Sequence, residues 1–142
     1  MTETPHPAVD LHAMSGCFDG VIPPIIATCS SAGEPNITHL SQLFLIDDHH
    51  LALSNQFFGK TSANLAENPV ASVLVTDSQT YATFRLELRF DRTETSGALF
   101  EQLRASIDAI GALMHMEDVF GLRSADVFEV LSVDPLAGVT AP

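Results

Sequence analysis

Lys60 is the only lysine in an acidic 142-residue chain of formal net charge −12. It sits in SNQFFGKTSANLAENP, residues 54–69, between Gly59 and the two hydroxyls of Thr61 and Ser62. The spacing predicts a strand ending near Ser54–Asn55–Gln56, a turn at Phe57–Phe58–Gly59, and a short helix opened by Lys60 and stopped by Pro69. A helix start carries unpaired N–H groups and the positive end of the helix dipole. A cation and a hydroxyl added to it make a compact site for an anion such as phosphate. The plain alternative is an ordinary helix start, with Thr61 or Ser62 as the cap and Lys60 as a solvated charge. On this spacing alone, capping is the commoner arrangement.

Other chemistry-bearing groups read more simply. Asp47-Asp48-His49-His50 sits at a hairpin tip, where neighbouring side chains point apart, so a solvated turn outweighs a metal site. In Met114-His115-Met116, Met114 continues an apolar helical stripe and His115 falls on its polar side, which favours helix core over haem ligation. Cys-Ser-Ser-Ala-Gly at 29–33 is a turn and not a nucleophile elbow, because no helix follows it. Cys17 and Cys29 follow neither metal nor redox spacing and read as small, reduced, partly buried side chains. Phe57 and Phe58 can serve the core, a ring-shaped ligand or another subunit.

The elements that position these residues follow from periodicity. Strands are expected at Pro23–Cys29, Asn36–Ile46, Leu51–Ser54, Val70–Thr76, Tyr81–Thr93 and Ala125–Val133. The fifth alternates cleanly, with Phe84, Leu86, Leu88 and Phe90 on one face and Arg85, Glu87 and Arg89 on the other. From Gly97 to Met116 the period becomes helical, through Leu99, Phe100, Leu103, Ile107, Ile110, Leu113 and Met114. A further short helix is expected at Asp10–Phe18. Six strands at hairpin spacing with one long late helix predict a mainly β, α+β fold, a small antiparallel barrel with helices outside.

Length and composition set the outer limits. The chain suits a single domain spanning 1–142, with loose termini at 1–9 and 134–142. Apolar residues make up 46% of it, enough for a substantial core. The acidic balance argues against nucleic acid, whose phosphates call for basic surface, and against an anionic membrane surface. No apolar run has the length of a bilayer span. The start, MTETPHPAVD, has neither a basic n-region nor an apolar h-region, so a signal peptide is not expected and the cytoplasm is.

The pattern S-N-Q-F-F-x-K-T-x-x-N-L-x-x-N-P resembles the pyridoxamine 5'-phosphate oxidase-like family, the FMN-binding split barrels. In that family a strand ends in a Thr/Ser-Asn pair, with a Lys five residues beyond the Asn; Asn55 and Lys60 keep that spacing. Asn68-Pro69 followed by VASVLVTD matches the next part, and residues 16–133 carry the resemblance overall. It implies a six-stranded antiparallel split β-barrel, a homodimer and FMN at the subunit interface. It implies a phosphate held by Lys60 and Thr61, with Ser62 nearby, and a flavin along Leu53, Ser54, Asn55 and Gln56. The second strand would contribute Thr38, His39 and Ser41, the last two sharing a face by period two.

The chain departs from the oxidase proper at three places. Thr38, His39 and Ser41 stand near the family's phosphate-binding Arg, and Gly59 stands where an Arg precedes the family's Lys. Arg85 is a candidate replacement, or else a surface charge paired with Glu87 or Asp91. The C-terminus lacks the Arg-x-His pair that reads the vitamer, so a substrate other than pyridoxamine phosphate is expected. The first expectation is an FMN-dependent oxidoreductase acting on a small molecule or electron donor. The rivals are a non-catalytic flavin sensor or carrier and a relative that binds another small anion. His39 and Tyr81 are acid–base candidates only by type, and no catalytic residue is assigned.

Overall fold

The computed structural model describes residues 10–55, 59–113, 115 and 122–136. Gln56, Phe57, Phe58, Met114 and Met116 therefore lie outside the described residues, as do 1–9 and 137–142. Asn55 is described through its backbone alone.

The strands are β1 (Ile25–Cys29), β2 (Pro35–His39), β3 (Leu43–Leu45), β4 (His50–Asn55), β5 (Val70–Thr76), β6 (Thr83–Glu94) and β7 (Ser124–Pro135). Two α-helices interleave with them, α1 (Lys60–Glu67) and α2 (Ala98–Leu113), after a 3-10 segment at Leu11–Cys17. The strands form one antiparallel sheet in the order β2-β1-β5-β6-β7-β4-β3.

The edge strands β2 and β3 are consecutive in the chain, joined only by Leu40, Ser41 and Gln42. A link this short spans at most about 14 Å. The sheet therefore curls until its two edges nearly meet, yet no ladder joins them, which is the geometry of a split barrel. This corrects the count expected from sequence. The run Asn36–Ile46 is two strands rather than one, because the chain leaves one edge at His39 and enters the other at Leu43; the sheet has seven strands, not six.

Alternation builds the barrel interior. On β5 the odd residues Ala71, Val73 and Val75 are buried, and on β6 Leu86 and Leu88 are fully buried. Ile26, Leu43, Leu51 and Phe128 complete a continuous core. Outside the barrel, α2 rests Leu103 against Ala52 and Ala125, two small residues that let the helix approach the sheet. Burying a leucine of this kind contributes about 2 kcal/mol. Phe100, Ile107 and Gly111 continue that helical face, whereas Leu113 is exposed.

β7 reaches Pro135, opposite Phe84, beyond the expected end at Val133. β6 starts at Thr83 rather than Tyr81, whose φ of 61° puts it in the preceding turn. Gly33, at φ 83°, closes the β1–β2 turn, where its N–H donates to Ser30 O at 3.0 Å. At the tip before β4, Asp47 accepts the His49 N–H at 2.8 Å and contacts His50 Nδ1 at 2.9 Å, a turn held by its own side chains.

Candidate functional site

The start of α1 packs against the β1–β2 hairpin, and the end of β4 meets the β2–β3 link. α1 is fixed there by polar contacts from one face. Thr61 Oγ1 accepts from Asn36 Nδ2 at 3.0 Å, and Asn64 Nδ2 donates to Thr28 Oγ1 at 3.2 Å. Thr61, Asn64 and Thr28 are all buried. At the helix end, Glu67 Oε2 accepts from Ser31 N at 2.9 Å and Ser31 Oγ at 3.1 Å. Leu65 enters the core beside them.

This arrangement replaces the cap expected from sequence. Gly59 is the N-cap and makes no side-chain cap bond; Thr61 and Ser62 lie inside the helix. Thr61 spends its hydroxyl oxygen on Asn36, so its O–H hydrogen is directed by that bond. Lys60 is the first helical residue and is exposed.

The other sequence-predicted residues are distributed as follows. Ser54 is buried, and its Oγ lies 3.3 Å from Ser41 Oγ, so the β2–β3 link and the end of β4 come together. Leu53 points into the barrel core, leaving only its backbone available at the surface. Asn55 closes β4 opposite Ser124. Thr38 is half-buried on β2, and His39 is exposed at its end. Ser41 lies past the last residue of β2, so the expected shared face of His39 and Ser41 does not follow from strand alternation. Arg85 is eight positions from Thr93 along β6, about 26 Å at strand rise. It pairs with Glu87 at 3.2 Å and Asp134 at 3.9 Å, as a surface charge does.

A feature that sequence reading missed lies on the other face of α1. A cavity of about 310 Å³ opens between α1, β6 and β7. Ser62, Leu65 and Ala66 form its helical wall, one face of α1 by their i, i+3, i+4 spacing. Phe90, Thr93, Ser124 and Asp126 form the strand wall. Asp126 is 6% exposed. Its Oδ1 accepts from Thr93 Oγ1 at 3.0 Å and from Ser124 Oγ at 3.0 Å.

The signal was present in the last strand. Asp126 shares a face with Phe128 and Val130, which point into the core, so alternation alone places a carboxylate on the barrel's inner side.

Comparison with known proteins agrees with the fold. An FMN-binding protein from Syntrophomonas wolfei superposes with a TM-score of 0.74 at 20% identity, covering 92% of this chain and 90% of that one. HupZ of Group A Streptococcus gives 0.70 at 17%, covering 92% and 97%. HutZ, the heme storage protein from Vibrio cholerae, gives 0.57 at 13%, covering 95% of each. No curated protein matches the chain. The family model described as pyridoxamine 5'-phosphate oxidase matches residues 22–135, from just before β1 to the end of β7. That span takes in the whole curled sheet and the Lys60 helix, and the chain belongs to the pyridoxamine 5'-phosphate oxidase family.

Proposed function

We propose that the chain is an FMN-binding flavoprotein and, within that, an FMN-dependent oxidoreductase working as a homodimer in the cytoplasm. The observation that carries this reading is the start of α1. Its N-cap, Gly59, brings no side-chain cap bond, and the chain's only lysine stands exposed at its first position. A phosphate there meets the backbone N–H groups of the first turn, the Lys60 ammonium and the hydroxyl of Ser62. In a chain of net charge −12, local positive charge is scarce, so an anionic cofactor has few other places to bind. Family membership and the FMN-binding neighbour from Syntrophomonas wolfei support the same cofactor.

The residues present fit FMN in kind. Ser54 and Ser41 supply hydroxyls, and the backbone at Leu53–Asn55 supplies groups for the polar edge of a flavin; Gln56, the next residue in sequence, lies outside the described residues. Thr38 and His39 on β2 extend the same rim. Arg85 would join the site from the second subunit of the homodimer. FMN would supply the redox chemistry, while the chain orients it and limits water.

The test is an absorbance spectrum after adding FMN and removing the excess by gel filtration. Retained flavin that is lost in Lys60→Ala supports the phosphate site. No retained flavin at micromolar protein sinks the cofactor reading. Oxidation of reduced nicotinamide by the loaded protein then separates an oxidoreductase from a sensor or carrier.

A further inference from the structure

The cavity beside α1 has a chemistry opposite to that of the Lys60 end. Its walls are apolar at Leu65, Ala66 and Phe90, and its innermost charged group is the carboxylate of Asp126, 94% removed from solvent. Thr93 and Ser124 both donate to Oδ1, which fixes the carboxylate in one orientation. Phe128 stacks edge-on against Phe90, ring centroids 5.4 Å apart, and holds the aromatic wall in place.

A fixed buried carboxylate beside apolar walls disfavours anions, because those walls screen a second negative charge less than bulk water does. It attracts a cation with N–H donors, whose charge-assisted hydrogen bonds are about twice as strong as neutral ones. About 310 Å³ lies at the small end of ligand pockets, enough for one ring and its substituent.

We propose that this cavity is a binding pocket for a small flat aromatic cation bearing N–H donors, an amidine or a protonated amino-heterocycle, with Asp126 as its recognition group. Its ring lies against Phe90 and Leu65, and its N–H groups point at Asp126. Phosphorylated or carboxylated compounds are excluded by the same charge. Ser62 belongs both to the first turn of α1 and to the cavity wall, so an occupant lies next to whatever binds at Lys60. That the occupant is the partner of a flavin rests on the FMN reading; that the cavity takes an aromatic cation does not.

The probe is benzamidine, titrated by calorimetry into the full chain with and without added FMN, with benzoate as the anionic control. Benzamidine is expected to bind and benzoate is not. Asp126→Asn keeps the size of the side chain, removes its charge and should weaken benzamidine at least about ten-fold, the scale of one charge-assisted hydrogen bond. Ala66→Trp, which adds bulk at the cavity mouth without touching a buried polar group, should abolish binding and covers the case in which Asp126→Asn fails to fold.

The proposal is overturned by any of four results. Benzamidine does not bind at 10 mM or below, roughly the weakest affinity a fragment of its size shows. Benzoate binds as well as benzamidine. Either variant binds benzamidine as the parent does. FMN displaces benzamidine competitively, which would make the cavity the flavin's own. Loss of flavin retention in Lys60→Ala bears on the FMN reading alone, so the two can fail separately.

Discussion

Thr93 on β6 donates its hydroxyl to Asp126 on β7 at 3.0 Å, and a β-bulge makes the contact possible. Phe90 faces Phe128, Arg92 faces Val127 and Thr93 faces Asp126, so Asp91 is an extra residue on β6. In a regular strand, residues three apart point to opposite faces. The bulge removes one step of alternation and turns Thr93 to the same side as Phe90. Replacing Thr93 by Val leaves Asp126 one donor short at nearly constant volume. It is expected to cost about 1–2 kcal/mol in urea unfolding, and Thr93→Ser should recover part of that. An unchanged midpoint for Thr93→Val would show that the bond contributes nothing to stability.

The buried pair Thr28 and Asn64 holds α1 to β1 through one hydrogen bond of 3.2 Å. Asn64→Ala strands the Thr28 hydroxyl and should destabilise by about 1–3 kcal/mol. Adding Thr28→Val removes the stranded group, so the double variant should be less destabilised than the sum of the two single changes. Strict additivity in the cycle would mean that the two side chains do not act together. Because α1 carries Lys60, flavin retention by Asn64→Ala should fall along with stability under the FMN reading.

Much of the barrel was legible in the sequence because its strands are short, alternating and separated by turn residues. β5 reads as a strand from VASVLVT alone, and α2 from its change of period. The break at Leu40–Gln42 left one local mark, the odd step from Leu40 to Leu43 that interrupts period-two alternation. What the local pattern does not carry is the crossing from one sheet edge to the other, which is a long-range constraint. The bulge at Asp91 was hidden for the same reason, and with it the Thr93–Asp126 contact. The Lys60 segment was legible as a helix start, but its cap was misassigned. Thr61 has the right type for a cap, yet Asn36, distant in sequence, takes its oxygen instead. Among the cavity's strand residues, alternation placed Phe90 on the apolar face of its strand, and it puts Ser124 and Asp126 on one face of β7.

Cys17 should be a silent thiol whose titration still shows in the stability curve. Burial, then the nearby charges of Asp77 and Asp19, push its pKa from 9.0 up to about 11. Between those values the unfolded chain ionises and the folded one keeps its proton. The stability this group contributes is therefore intact below pH 9 and is lost as pH rises toward 11, on the order of 2 kcal/mol in all. Cys17→Ala should flatten the alkaline limb of the melting temperature against pH. At pH 8 a thiol reagent should modify half-buried Cys29 well before Cys17, which is 3% exposed. Equal labelling of the two would contradict the burial argument.

The acid limb has the opposite sign and a surface origin. Asp77 accepts the backbone N–H groups of Thr80 at 3.0 Å and Gln79 at 2.8 Å, and these bonds hold its carboxyl below its ordinary 3.8. Asp19 is lowered by Ser78 and the Val21 N–H, Asp47 by the His49 N–H, and Glu67 by the Ser31 N–H. A carboxyl with a depressed folded pKa contributes stability that is present above its unfolded pKa, and loses it as pH falls through the folded value. The melting temperature should accordingly drop from about pH 4 downward, where carboxylates of the unfolded chain begin to take up protons. Asp77→Asn keeps an acceptor oxygen for the two N–H groups but cannot titrate, so its acid limb should be shallower than that of the parent. The site also tests local packing, because a Cβ at Gly16 would come 2.5 Å from Asp77 Oδ2. Gly16→Ala should displace the Asp77 carboxylate, weaken its two N–H bonds and make the acid limb shallower in the same way. Parallel acid limbs for the parent, Asp77→Asn and Gly16→Ala would rule out this turn as a source of acid sensitivity.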